Sequence, residues 1–122
     1  MTTPEDPLSD PLVARYYSLK PGTFHDVEKI EIRQTTRDEG YATSLDMEVR
    51  HINPEEDRHL FLTFNGVLNL RLTPPMRMVI QLSDLEIRSV EERQWEGVTY
   101  SVKETEHDTI SFLCHDFTAI VR

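Results

Sequence analysis

The chain has 122 residues and carries 22 acidic against 13 basic side chains, a formal charge of −9 at neutral pH. That length fits one domain with a single core, and 38% hydrophobic with 29% charged residues fits a globular rather than a disordered chain. The negative charge repels phosphate backbones and anionic membranes, which argues against nucleic-acid binding and favours a cationic partner, metal ions or plain solubility.

Residues 1–9 read as a disordered tail, and 10–122 as a single β-rich domain. The start, MTTPEDPLSDPL, lacks the positive charge and apolar run of a secretory signal. No apolar stretch approaches the roughly 18 residues that span a bilayer. Cys114 is the only cysteine, so no intrachain disulfide is available. These features make the cytoplasm the expected compartment, with no membrane association.

Asp10-Pro11 opens the ordered part as a helix start: an aspartate N-cap followed by proline at the first helical position, where its missing N–H costs nothing. The spacing of Leu12, Tyr16 and Leu19 predicts a short helix over residues 11–19, stopped by Lys20-Pro21-Gly22. From Thr23 onward the pattern is β. Val27, Ile30 and Ile32 predict a strand with a parity slip at its start, the mark of a bulge. Arg37-Asp38-Glu39-Gly40 is a hairpin turn. Thr43, Leu45, Met47 and Val49 then alternate with Ser44, Asp46, Glu48 and Arg50, so one side faces a core and the other faces water.

After the charged loop Asn53-Pro54-Glu55-Glu56-Asp57, Leu60, Leu62 and Phe64 alternate with Phe61, Thr63 and Asn65, and the same parity resumes after Gly66 as Leu68, Leu70 and Leu72. No carboxylate occurs from His59 to Ser83, which makes this stretch the expected centre of a sheet. Asn65-Gly66 suits either a two-residue hairpin turn or a bend within one strand, and we read it as a bend. Met76, Met78, Ile80 and Leu82 continue the beat, and Leu85 and Ile87 switch parity around Asp84. Val98, Tyr100 and Val102 pair as a hairpin with Ile110, Phe112 and Cys114 across the turn Thr105–Asp108. Phe117, Ala119 and Val121 end the chain as a last strand. The expected fold is mainly β: an antiparallel sandwich or strongly curved sheet of about seven or eight strands with one short N-terminal helix, because parallel strands need long crossovers that the spacing lacks.

Chemistry-bearing patterns are sparse. His25-Asp26, His107-Asp108 and His115-Asp116 resemble the His-Asp motif of metal-dependent phosphohydrolases, but that family is helical, and strand neighbours point to opposite faces. Cys114 and His115 diverge for the same reason, so a buried structural thiol is expected rather than a nucleophile and its base. Asp46 with Glu48, Glu55-Glu56-Asp57 and Glu91-Glu92 read as solvated charge. No phosphate loop, nucleophile elbow, CxxC pair, HExxH helix or calcium loop is present, and no cofactor or metal is expected. The exception is Glu91-Glu92-Arg93-Gln94-Trp95-Glu96-Gly97, where a large aromatic sits amid carboxylates. Glu91, Glu92, Trp95 and Glu96 are therefore the candidate partner-binding residues, with Trp95 as anchor and the acids steering a basic partner.

Phe24-His25-Asp26, Phe64-Asn65-Gly66-Val67 with Leu70, and Ile110-Ser111-Phe112-Leu113-Cys114 resemble small bacterial proteins of unknown function, some described as immunity-type proteins of polymorphic toxin systems. The likeness spans most of residues 24–114, leaving the Pro-rich start and the helix outside. It implies a binding role and transfers no catalytic residue. The reading is a non-enzymatic, acidic binding domain that recognises a protein partner, such as a basic toxin. One alternative is a small enzyme or ligand carrier whose site, inside a curved sheet, draws on His25, His51, His59, Tyr100 or His115. The other is a homodimer formed through an exposed edge strand.

Overall fold

The computed structural model describes residues 10–37, 40–73, 82, 84–90, 99–106 and 108–122. Among the described residues the chain forms helix α1 (Pro11–Ser18), a 3₁₀ turn (Pro21–Thr23) and eight strands. The strands are β1 (Phe24–Arg37), β2 (Gly40–His51), β3 (His59–Asn65), β4 (Leu68–Leu72), β5 (Leu85–Ser89), β6 (Tyr100–Glu104), β7 (Ile110–Cys114) and β8 (Asp116–Val121). They make two antiparallel four-stranded sheets, ordered β1-β2-β3-β8 and β4-β7-β6-β5. The open sandwich is thus the arrangement adopted, not a closed barrel.

The inward positions are those that the period-two pattern picks out. Leu45, Met47 and Val49 on β2, Leu60, Leu62 and Phe64 on β3, and Phe117 and Ala119 on β8 are buried from one side. Leu85, Ile87, Tyr100, Val102, Ile110, Phe112 and Cys114 are buried from the other. Aromatic rings knit the two layers together. Phe64 meets Phe112 edge to face at 4.8 Å, and Phe117 meets Tyr100 at 5.0 Å and Tyr16 of the helix at 6.4 Å. Such pairs add about 0.5–1.5 kcal/mol each beyond the area they bury.

β3 and β4 behave as one strand bent at Gly66, and β7 and β8 as another bent at His115. Leu60↔Val121 through Asn65↔Asp116 pair in the first sheet, and Leu68↔Leu113 continues the same register in the second. This two-stranded ribbon crosses from sheet to sheet, and the His115 N–H donates to the Asn65 carbonyl at 2.8 Å on the way. Gly66 takes φ +67, and a Cβ there would lie 2.8 Å from the His115 Cβ, so the close approach of the two bends requires glycine. The Asn65-Gly66 position is a bend and not a hairpin turn.

The alternation weakens past that bend. Leu68 and Leu70 are half-buried, and Leu72 is 38% exposed. The cause is the crossover: past Gly66 it is Val67 that is buried while Leu68 opposes the outward Leu113, and a register shift at Asn69 (φ +55) returns Leu72 to the side of the buried Ile110, at the end of the strand. The slip at the start of β1 is likewise real, with register shifts at Phe24/Asp26 and Val27/Lys29.

Helix α1 starts as its sequence dictates. The Asp10 carboxylate accepts from the Leu12 and Val13 backbone N–H groups at 2.9 and 3.2 Å, with Pro11 in the first turn. The helix buries Val13 and Tyr16, whereas Leu12 is 38% exposed, so the apolar face lies one residue on from the expected Leu12. Tyr16 donates to the Leu85 carbonyl and thereby ties the helix to β5. Asp10 also accepts from the Tyr100 hydroxyl at 2.9 and 3.0 Å, linking the cap to β6. Asp10→Ala is expected to cost about 1–2 kcal/mol in urea unfolding, since it removes the helix cap and the Tyr100 hydrogen bonds to it together.

One inward position breaks the apolar rule. Glu104 is fully buried, and its carboxylate accepts from the Glu106 N–H at 3.1 Å and the Thr109 N–H at 3.5 Å, closing the β6–β7 turn.

Candidate functional site

The same alternation that builds the core writes the composition of the outer faces. On the first sheet, β2 sends Asp46, Glu48 and Arg50 outward, and β3 sends His59, Phe61 and Thr63. Register places Lys29 beside Glu48, Glu31 beside Asp46, and Ile120 beside Phe61. Two kinds of charge group result. Glu31 sits between Lys29 at 3.6 Å and Arg33 at 3.4 Å, and Arg33 reaches on to the Asp46 carboxylate, so these four side chains neutralise one another. Glu28 and Glu48 instead share one imidazole: the His59 Nε2 lies 3.0 Å from the Glu28 Oε1 and 3.9 Å from the Glu48 Oε2.

Next to this group lies the apolar part of the face, the half-buried pair Phe61 and Ile120. The Arg122 guanidinium stands 5.3 Å over the Phe61 ring, and the His59 ring is 6.2 Å from it. The outer face of the second sheet has the opposite balance. Arg71, Arg88 and Lys103 stand against the single described carboxylate Glu86, around Leu68 and Leu113. On the first face Asp26, Glu28, Glu31, Asp46, Glu48 and Asp116 outnumber Lys29, Arg33, Arg50 and Arg122. Among the described residues one outer face is acidic and the other basic.

Ligand atoms of Glu28, Glu48 and His59 all lie within 4.8 Å of one another, a donor set that suits a divalent cation as well as the hydrogen bond it makes. The cluster is assembled by strand register from β1, β2 and β3. The sequence alone marks Glu48 as a solvated strand carboxylate and His59 as one of the candidates for a site inside a curved sheet, without joining them. Pairing β2 with β3 so that Arg50 opposes His59 is the signal that joins them.

The sequence-predicted contact residues Glu91, Glu92, Trp95 and Glu96 lie outside the described residues. The backbone on either side of them is joined by the Val90 N–H to the Thr99 carbonyl at 2.8 Å, and the Thr99 N–H continues to the Cys114 carbonyl at 3.0 Å. His107 is also outside. The other histidines of the enzyme alternative are spread over the fold: His25 on the irregular start of β1, His51 against the Phe24 ring at the end of β2, and His115 at the crossover. Tyr100 is occupied by Asp10. A void of about 10 Å³, lined by Tyr16, Phe24, Leu62 and Leu82 among others, has room for one water and is lined by none of these histidines.

Cys114 is buried, and burial, with the nearby Asp116 charge, pushes its thiol up to about 12. It stays protonated at neutral pH and is no nucleophile. Burial also pushes the Tyr16 phenol up. Both groups ionise more readily in the unfolded chain, so above the unfolded thiol value of about 9 the folded state holds more protons and stability falls with rising pH. The urea midpoint is expected to be lower at about pH 10.5 than at about pH 8, and a thiol reagent should label Cys114 only after unfolding.

The family model described as Immunity protein PIM8 matches residues 10–120. No curated protein and no solved structure matches the chain. The match starts at the Asp10 cap and runs into β8, so it takes in the helix that the sequence resemblance had left outside. With both sheets and α1 inside the matched span, the chain belongs to the PIM8 family of immunity proteins.

Proposed function

We propose that this protein neutralises a toxin by binding it, without chemistry of its own, and that the toxin presents a basic surface. Membership of an immunity family over residues 10–120 carries this reading. The formal charge of −9 and the excess of carboxylates on the first outer face support the sign of the partner. Opposite charges steer encounter and disfavour wrong partners, which suits an inhibitor that must capture its target quickly. The segment holding Glu91, Glu92, Trp95 and Glu96 belongs to the contact, with Trp95 as its aromatic anchor. The site of action is the cytoplasm, and residues 10–122 act as one unit.

Co-expression with toxin domains encoded in the same genome, screened for the one whose toxicity this protein relieves, is the test. Growth should be restored, and the two proteins should co-purify in a complex that weakens as salt rises from about 0.05 to 0.5 M, because screening shortens the reach of surface charge. Rescue without any complex, with the toxin's product or substrate consumed instead, would remove the binding reading.

A further inference from the structure

We infer that the toxin docks on the outer face of the first sheet, centred on Phe61 and Ile120, with its basic side chains meeting Glu28 and Glu48. This inference rests on the immunity reading above and adds the surface.

The two outer faces differ in sign, and a basic partner is attracted to one and repelled by the other. Within the acidic face, Lys29 and Arg33 already engage Glu31 and Asp46. Glu28 and Glu48 have one histidine ring between them. They are the carboxylates that a guanidinium or ammonium from outside can take up with charge-assisted hydrogen bonds.

The apolar centre lies beside them. Phe61 and Ile120 are half-buried neighbours, bordered by Thr63 and Thr118 and then by charge. An aromatic centre inside a polar rim is the layout of a binding hot spot. Helix α1 does not cover it, because its Tyr16 packs inward on Phe117 and bonds Leu85.

The face continues into the crossover: Thr99 bonds Cys114, His115 bonds Asn65, and the Asn65 amide donates to the Asp116 carboxylate at 2.7 Å. Asn65 and Asp116 are the first outward pair of the acidic face. A standard interface takes roughly 20–30 residues a side, more than the Trp95 segment supplies alone.

The experiment measures affinity by calorimetry, using the purified toxin domain that the growth-rescue screen identifies. The wild type is compared with Glu28→Lys/Glu48→Lys, with Thr118→Arg, and with Arg88→Glu/Lys103→Glu on the opposite face. Thr118 is exposed and outside the core, so its variant tests the face even where the double charge reversal unfolds. The charge reversal is expected to weaken binding about 100-fold or more, and Thr118→Arg by at least about tenfold, while the opposite-face variant binds as tightly as the wild type or more so. Wild-type binding that survives both first-face variants overturns this docking surface and leaves the function standing. A wild type that forms no complex overturns the function and the surface with it.

Discussion

Replacing Phe117 by alanine is expected to cost about 3–5 kcal/mol of folding free energy. The ring is 2% exposed and stands where three elements meet. It touches Tyr100 of the second sheet at 5.0 Å, Phe64 of its own sheet at 5.9 Å and Tyr16 of α1 at 6.4 Å. Truncation leaves a hole that none of these rings can fill without leaving its own contacts, so both the transfer and the cavity terms apply. Domains of this size are stable by about 5–15 kcal/mol, and the variant should unfold at much lower urea. Phe117→Leu keeps most of the volume and should cost less than half as much. A loss under about 1 kcal/mol for the alanine variant would mean that the sheets do not close on this ring.

Gly66→Ala is expected to cost about 2–5 kcal/mol through two separable effects. The left-handed φ of +67 disfavours any Cβ by about 1–2 kcal/mol. The new methyl also meets the His115 Cβ at 2.8 Å and its backbone nitrogen at 3.4 Å, and overpacking of this kind costs about 1–3 kcal/mol. Because the neighbour is the root of a side chain and not its tip, rotation gives no relief. His115→Gly in the same chain should restore the second part and leave the first. Gly22→Ala makes a clean control, since a Cβ there meets nothing within 4 Å. Equal effects at the two glycines would rule out the close crossing of the bends.

Local pattern made most of the scaffold legible. Asp10-Pro11 specifies a helix start whatever follows, and β2 shows its two faces in eight residues. Other features depend on partners distant in sequence. Leu68 continues the parity of Leu60, yet the crossover at Gly66 turns it outward beside Leu113, and nothing near Asn69 announces the bulge that reverses this. Glu104 shares the parity of Val102, and its burial depends on turn amides that only the folded hairpin presents. The Glu28–Glu48–His59 group needs the register of three strands at once, so single-strand reading leaves its members apart. The acid-flanked Trp95 was visible because aromatic and carboxylates are adjacent in the chain. The charge difference between the sheets was invisible because it arises from eight strands folding into two layers.

The most direct test is a nuclear magnetic resonance titration of the labelled protein with the toxin domain found by growth rescue, following backbone amide shifts in both sheets. The account predicts that shifts concentrate at Glu28, Glu48, Phe61, Thr118 and Ile120 while Ser101, Lys103 and Ser111 stay put. Shifts confined to that second group, or a spectrum that the toxin domain leaves unchanged, would contradict it.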